Sequence, residues 1–187
     1  SKTLELCNYL QAIEGGIDTV HSAFLHHNDL GDKTSLGRVN HRPKLEVERT
    51  AYGFRYAGIR DVGEIGTYIR MYQFILPFHQ YRPSQITKAD GTRAKIPQNR
   101  GHMWVPMDDE NTMVYNWIYA TDEDRPFTPE AKLKYEANAG RGPDGETTVR
   151  HRTRANDWLI DREIQRTKTF TGIKGLNTQD LAVQESM

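Results

Sequence analysis

TYIRMYQFILPF, residues 67–78, is a run of β-branched and aromatic side chains (Tyr68, Ile69, Tyr72, Phe74, Ile75) and reads as a central strand. Upstream of it, Gly63-Glu64-Ile65-Gly66 reads as a turn. Before that turn Leu45-Glu46-Val47-Glu48 alternates strictly, and Tyr52, Phe54 and Tyr56 share one face of a second segment, so strands are predicted there too. Downstream, Ala89-Asp90-Gly91 is a turn leading to a short strand at residues 93–96. Residues 101–106 and 112–120 then flank Asp108-Asp109-Glu110-Asn111 as the two arms of a hairpin. No helical crossover separates these strands, which makes the sheet antiparallel.

Helical signals lie at the two ends of the chain. Leu6, Leu10, Ile13, Ile17, Val20 and Phe24 recur at steps of four and three, one apolar stripe sustained for five turns. Gly15-Gly16 interrupts it at a cost of about 1 kcal/mol per glycine relative to alanine, so either the helix bends or something approaches its backbone closely. Residues 28–40 turn polar and read as a surface loop. Thr128-Pro129 opens a short helix that Gly140 can close, and a loop of Gly, Pro and charge follows to Arg154, a candidate for mobility. Asn177 or Thr178 caps a last helix (Asp180, Leu181, Val183) that is still running at Met187, so further chain is expected beyond it. Helix, antiparallel sheet and helix, with no internal repeat, make the fold α+β: a curved sheet gripping helices on one face.

Composition bounds the function. The 187 residues suit one domain with a sizeable core. With 25 Lys and Arg against 25 Asp and Glu, neither a nucleic-acid footprint nor a polybasic membrane patch is present. No apolar run approaches the roughly 18 residues of a spanning helix, and Ser1-Lys2-Thr3-Leu4-Glu5 lacks the apolar region of a secretory signal, so a cytoplasmic location is expected. Cys7 is the one cysteine, which excludes an internal disulfide, a four-cysteine zinc site and an iron-sulfur cluster held wholly within this chain. It reads as a small buried hydrophobe.

The chemistry gathers beside the first apolar stripe. Glu14, Asp18 and His21 fall at steps of four and three, and His26 follows with His27 next to it. Neutral imidazoles are common metal ligands, and a ligating histidine hands its other N–H to an acceptor, which the Asp18 carboxylate could provide. On an ideal helix His21 and His26 lie about 140° apart, so joint ligation needs a distorted turn or a helix that ends before His26. The alternative is two satisfied, partly buried histidines with a capping aspartate. Two histidines leave room for a distant carboxylate to complete a facial triad of the kind that holds non-haem Fe(II). Asp180, at the start of the last helix, is the best candidate; read alone it is a helix N-terminal acid. His41, His79, His102 and His151 have no partner spacing and read as structural or surface residues. Tyr68, Tyr72, Phe74, Met103, Trp104, Tyr115 and Trp117 alternate on strands as core, some of them lining an apolar cavity, and a basic residue in that cavity would favour an aromatic carboxylate.

Residues 8–26, NYLQAIEGGIDTVHSAFLH, resemble the iron-binding helix of Rieske non-haem iron ring-hydroxylating oxygenases, and most closely the phthalate 4,5-dioxygenase group with its O-demethylase relatives. Residues 104–109 resemble that group's catalytic-domain hairpin; residues 161–165, 171–173 and 179–186 resemble its C-terminal stretch. The resemblance implies a helix-grip, START-like fold with His21, His26 and Asp180 as ligands of a mononuclear Fe(II). It implies Asp18 as the carboxylate that couples the iron to a Rieske cluster of a neighbouring subunit in a head-to-tail trimer, and Glu14 at a variable site-facing position. It further implies O2-dependent hydroxylation or O-demethylation of an aromatic, carboxylated or methoxylated compound, with electrons from a flavin and iron-sulfur reductase. One cysteine cannot hold a [2Fe-2S] Rieske cluster, so residues 1–187 are expected to be the catalytic domain alone, its Rieske domain lying N-terminal to it. Two other readings share these residues: a metal-free helix-grip module that binds a hydrophobic ligand, and a zinc hydrolase with Glu14 as general base.

Overall fold

The computed structural model describes residues 1–27, 40–83, 90, 98–120, 126–138 and 150–187. Seven strands form one antiparallel sheet: β1 (Lys2–Glu5), β2 (Lys44–Thr50), β3 (Gly53–Asp61), β4 (Thr67–Ile75), β5 (His79–Pro83), β6 (Gln98–Pro106) and β7 (Thr112–Ala120). Their order, β1-β7-β6-β5-β4-β3-β2, is a meander from β2 to β7 with β1 added at the far edge. Consecutive strands from β2 to β7 pair antiparallel, as the sequence predicts, and short turns join β2 to β3, β3 to β4, β4 to β5 and β6 to β7. The turn at residues 63–66 holds Gly63 at φ +68° and Gly66 at φ +108°, conformations that suit glycine.

Two strands have no forerunner in the sequence reading. Residues 67–78 split, with β4 ending at Ile75 and β5 returning from His79. Lys2–Glu5, too short to show an alternation, pairs with Tyr115 to Thr112 from the other end of the sheet. The short strand predicted at residues 93–96, the loop at 28–39, Gly140 and the loop at 140–149 lie outside the described residues; Asp90 stands in a turn.

The long first helix is also corrected. It is two pieces, α1 (Tyr9–Ile17) and α2 (His21–Phe24), separated by Asp18, whose ψ of 120° leaves the helical region. Asn8 starts α1 by accepting the Leu10 N–H at 3.0 Å. Leu6, Leu10 and Phe24 of the predicted stripe are 48%, 56% and 50% exposed. The buried face is instead Ala12 and Ile13, with Tyr9 and Ile17 beside them, packed on Cys7, Phe74, Trp104 and Val114. Cys7 is thus the buried hydrophobe expected, its thiol pushed up to about 12 by burial and by Glu5.

The close approach predicted at Gly15-Gly16 is present, and it places α1. A Cβ on Gly16 would stand 2.2 Å from the Trp104 ring, and one on Gly15 would stand 2.2 Å from the Gln184 amide. Gln80, fully buried on β5, donates to the Gly16 carbonyl at 2.7 Å. Helix α5 (Leu176–Gln184) is sewn to α1 by the Gln11 amide on the Gln184 carbonyl (2.7 Å) and the Gln184 amide on the Ala12 carbonyl (3.1 Å). The sheet therefore grips α1 and α5, an α+β helix-grip arrangement. Helix α3 (Pro129–Asn138) begins at Thr128, whose hydroxyl accepts the Ala131 N–H, and α4 (Arg162–Thr167) precedes α5. Helix α5 starts at Leu176 after Gly175 rather than at a side-chain cap, and it closes at Gln184, where the Glu185 N–H turns back to Leu181 and Val183, rather than running on to Met187. Asp180 consequently sits in its second turn. Among the described residues no helix is long and apolar enough to cross a membrane.

Candidate metal centre

The break after α1 builds the site. The Asp18 carboxylate accepts the N–H groups of Val20 (2.7 Å) and His21 (3.0 Å), capping α2, while Arg60, buried on β3, holds the Thr19 carbonyl at 2.8 Å. Helix α2 lasts a single turn and ends before His26, the geometry that lets two histidines five positions apart turn the same way. Their rings meet edge to face, 5.3 Å between centroids. Asp180 reaches them from α5: its Oδ1 lies 3.1 Å from His26 Nε2 and 3.7 Å from His21 Nε2. One ligand atom from each of the three falls within 4.8 Å of the others.

Hydrogen bonds at the far nitrogens decide what this cluster can hold. His21 Nδ1 lies 2.8 Å from the main-chain oxygen of Asp18, not against its carboxylate, which is 3.9 Å away. That corrects the predicted acceptor: with the carboxylate spent on capping α2, the carbonyl of the same residue serves. His26 Nδ1 lies 2.6 Å from Gln179 Oε1, and the Gln179 amide nitrogen donates to the Ile173 carbonyl, fixing which end of the amide faces the ring. Both Nδ1 atoms thus donate, and both Nε2 lone pairs point at a carboxylate oxygen. A second proton on His26 would let its Nε2 donate to Asp180 at 3.1 Å, and a divalent cation would satisfy all three groups at once. Cis ligands of a six-coordinate ion with bonds of about 2.1 Å are about 3.0 Å apart; the His26–Asp180 separation of 3.1 Å matches this and the His21–Asp180 separation of 3.7 Å is wider. The donor set therefore fits a divalent metal. Burial raises the Asp180 carboxyl, but the imidazoles of His26 and His21 outweigh it and hold it below its ordinary value.

Gln179 is a positioning residue that the sequence does not single out. Gln179→Leu is expected to weaken Fe(II) binding about 10–100-fold by freeing the His26 ring, and Gln179→Glu, which keeps the acceptor, to retain most of it. Competition with a chromogenic chelator measures both; unchanged affinity in Gln179→Leu would remove Gln179 from the centre.

Beside His21 and Asp180 opens a cavity that runs between α1, α5 and the inner face of the sheet. Trp104, Val114 and Leu181 give it apolar walls, and Gly15 and Gly16 let it reach the helix backbone. Its polar wall comes from residues the sequence reading assigned no role. His102, read there as structural or surface, stacks on Trp104 and lines the cavity. Burial, with Arg82 adding to it, holds its pKa down to about 3, so it is neutral; Arg82 donates to its Nε2 at 2.5 Å and its Nδ1 donates to Asn116. The Arg82 guanidinium has a buried Nε with no partner, and among the described residues no carboxylate lies within ion-pair distance of it. Glu5, on β1, is 1% exposed, and burial reinforced by Glu185 and Asp180 raises its carboxyl to about 8. Strand register could have grouped His102 with Arg82 and Asn116, but only once β5 was known to exist.

Glu14 does not join the site. It is exposed on α1, outside the cavity lining, and its carbonyl receives the Asp18 N–H. The zinc-hydrolase reading thereby loses its general base. The Asp18 side chain is 44% exposed, at the surface next to His21. His27 is exposed as well.

A family model described as LigXa C-terminal domain like matches residues 1–187. The chain belongs to that family. It is accordingly a catalytic domain of the Rieske oxygenase type, as residues 8–26 suggested. The oxygenase subunit of 3-chlorobenzoate-3,4-dioxygenase from Comamonas testosteroni is 33% identical over 96% of this chain and 44% of its own length. That of phthalate 4,5-dioxygenase from Pseudomonas putida is 31% identical over all of this chain and 43% of its own. A tert-butanol monooxygenase / tert-amyl alcohol desaturase oxygenase subunit from Aquincola tertiaricarbonis is 28% identical over 63% of this chain and 27% of its own. The chain spans less than half the length of each relative.

Proposed function

We propose that this chain is the mononuclear Fe(II) domain of an aromatic oxygenase, with His21, His26 and Asp180 as the metal ligands and a cytoplasmic location. The observation that carries the reading is the convergence of two Nε2 atoms and one carboxylate oxygen beside a cavity with apolar and polar walls. A ferrous ion bound there supplies O2 activation next to the substrate. The chain's own residues do the rest. Asp18 and Gln179 orient the imidazoles; Trp104, Val114 and Leu181 pack a ring and exclude water; Arg82 anchors the substrate. A half-buried guanidinium with an unpaired Nε and, among the described residues, no carboxylate beside it favours an anionic partner, and a bidentate aromatic carboxylate matches its fork. A metal-free binding module gives the convergence of these three groups no role and is the weaker reading.

By analogy with the family, the complete protein would carry a [2Fe-2S] Rieske cluster in an N-terminal domain, supplied with electrons by a flavin and iron-sulfur reductase, and the half-exposed Asp18 beside His21 would lie at the trimer interface between the two centres. The test is O2 uptake with product analysis by the complete oxygenase and its reductase, offered benzoates. Hydroxylated or demethylated product is expected from the wild type, and Arg82→Leu is expected to raise KM for a benzoate at least about 10-fold with little change for phenol. Equal KM values, or product from His21→Ala at the wild-type rate, would contradict the proposal.

A further inference from the structure

Strand β1 buries two polar side chains that the site so far described does not use. Thr3 and Glu5 lie two residues apart on its inward face, 3% and 1% exposed, opposite Val114 and Thr112 of β7. Both line the cavity. Thr3 Oγ1 and Glu5 Oε1 are each buried with no hydrogen-bond partner. Leaving a buried hydroxyl and a buried carboxyl oxygen unpaired is unfavourable, and the Cys7 thiol that bonds the Glu5 carboxyl leaves its Oε1 unserved. They lie side by side on a pleat, face the same space as His21 and Asp180, and add two unpaired polar atoms to the cavity wall.

Resting on the reading of this cavity as the substrate site, we propose that Thr3 and Glu5 form a hydroxyl-recognition subsite, so that the preferred substrate is an aromatic carboxylate that also carries a ring hydroxyl. A hydroxyl is the one small substituent that completes both atoms. It donates its hydrogen to a Glu5 oxygen and accepts one from the Thr3 hydroxyl. A methyl ether has no hydrogen to donate, a halogen pairs with neither oxygen, and a second carboxylate brings its charge against a buried acid and the carboxylates of Asp180 and Glu185. A Glu5 oxygen can accept the hydroxyl proton whether the group is a carboxylic acid, through its carbonyl oxygen, or a carboxylate, and it is this accepting oxygen that separates a hydroxyl from an ether. Arg82 then fixes one end of the ligand and β1 the other, and the spacing of the two selects the ring isomer.

The test is equilibrium binding of benzoate, the three hydroxybenzoates, phenol and anisole, followed by calorimetry, to the wild type and to Glu5→Leu, Glu5→Gln and Thr3→Val. One hydroxybenzoate isomer is expected to bind the wild type at least about 10-fold tighter than benzoate. Glu5→Leu is expected to shrink that preference below about twofold while benzoate affinity holds, Thr3→Val to lose part of it, and Glu5→Gln, which can still donate and accept, to keep it. Equal affinities in the wild type, the result if ordered water already serves both oxygens, overturn the proposal, as does a preference that survives in Glu5→Leu. Should Glu5→Leu fail to fold, Glu5→Met and the near-isosteric Thr3→Val decide in its place. If the benzoates do not bind but phenol outbinds anisole in a Glu5-dependent way, the anchoring role of Arg82 falls and the hydroxyl subsite stands.

Discussion

Asp180→Ala is expected to lower Fe(II) affinity at least about 100-fold and to leave the protein folded. The ligand set is minimal, two neutral imidazoles and one carboxylate, and Asp180 contributes its entire negative charge. Altering an outer partner of a metal ligand costs about 10–100-fold, and removing a ligand outright costs more. The fold should survive, because the Asp180 side chain is 30% exposed at the cavity end of α5 and the helix is held by Gln179, Leu181 and Gln184 on its buried face. Anaerobic loading, desalting and metal analysis give the affinity. Full iron occupancy in the variant would exclude Asp180 as a ligand.

Arg150→Met is expected to destabilise the protein by about 3–5 kcal/mol, or roughly 10 °C in Tm. Arg150 and Glu185 form a bidentate pair, 2.5 and 3.1 Å, with side chains only 7% and 1% exposed. Glu185 also receives the Leu6 N–H at 2.9 Å, tying the segment after β1 to the end of α5. Without Arg150 its charge is left buried beside Glu5, whose carboxyl it already pushes upward. The double change Arg150→Met with Glu185→Gln removes the charge together with its partner and is expected to recover most of the loss. A Tm unmoved by Arg150→Met, or a double variant no better than the single, would show that this pair does not secure α5.

The sheet was legible because alternation is a local property: the arms at residues 45–48, 54–56 and 112–120 announce themselves within a few residues. Strand β1 was not, since four residues joined to a partner more than a hundred positions away leave no local trace. The apolar stripe from Leu6 to Phe24 has helical spacing but not a helix, because Asp18 spends its carboxylate on capping a new turn and so ends the old one. The same event frees His26 to turn toward His21, so the metal pair was readable from residue type and spacing while its geometry was not. Asp180 was reachable as a carboxylate on a rigid element. Arg82, His102, Thr3 and Glu5 came into view only through strand register, which places residues from three separate strands on one wall.

Anomalous X-ray diffraction at the iron edge, on crystals of the Fe(II)-loaded protein, tests the central claim most directly. The account predicts a single strong peak about 2.0–2.2 Å from His21 Nε2, His26 Nε2 and an Asp180 oxygen, with both Nδ1 hydrogen bonds preserved. A peak held by other residues, or no peak where these three side chains are ordered, would contradict it.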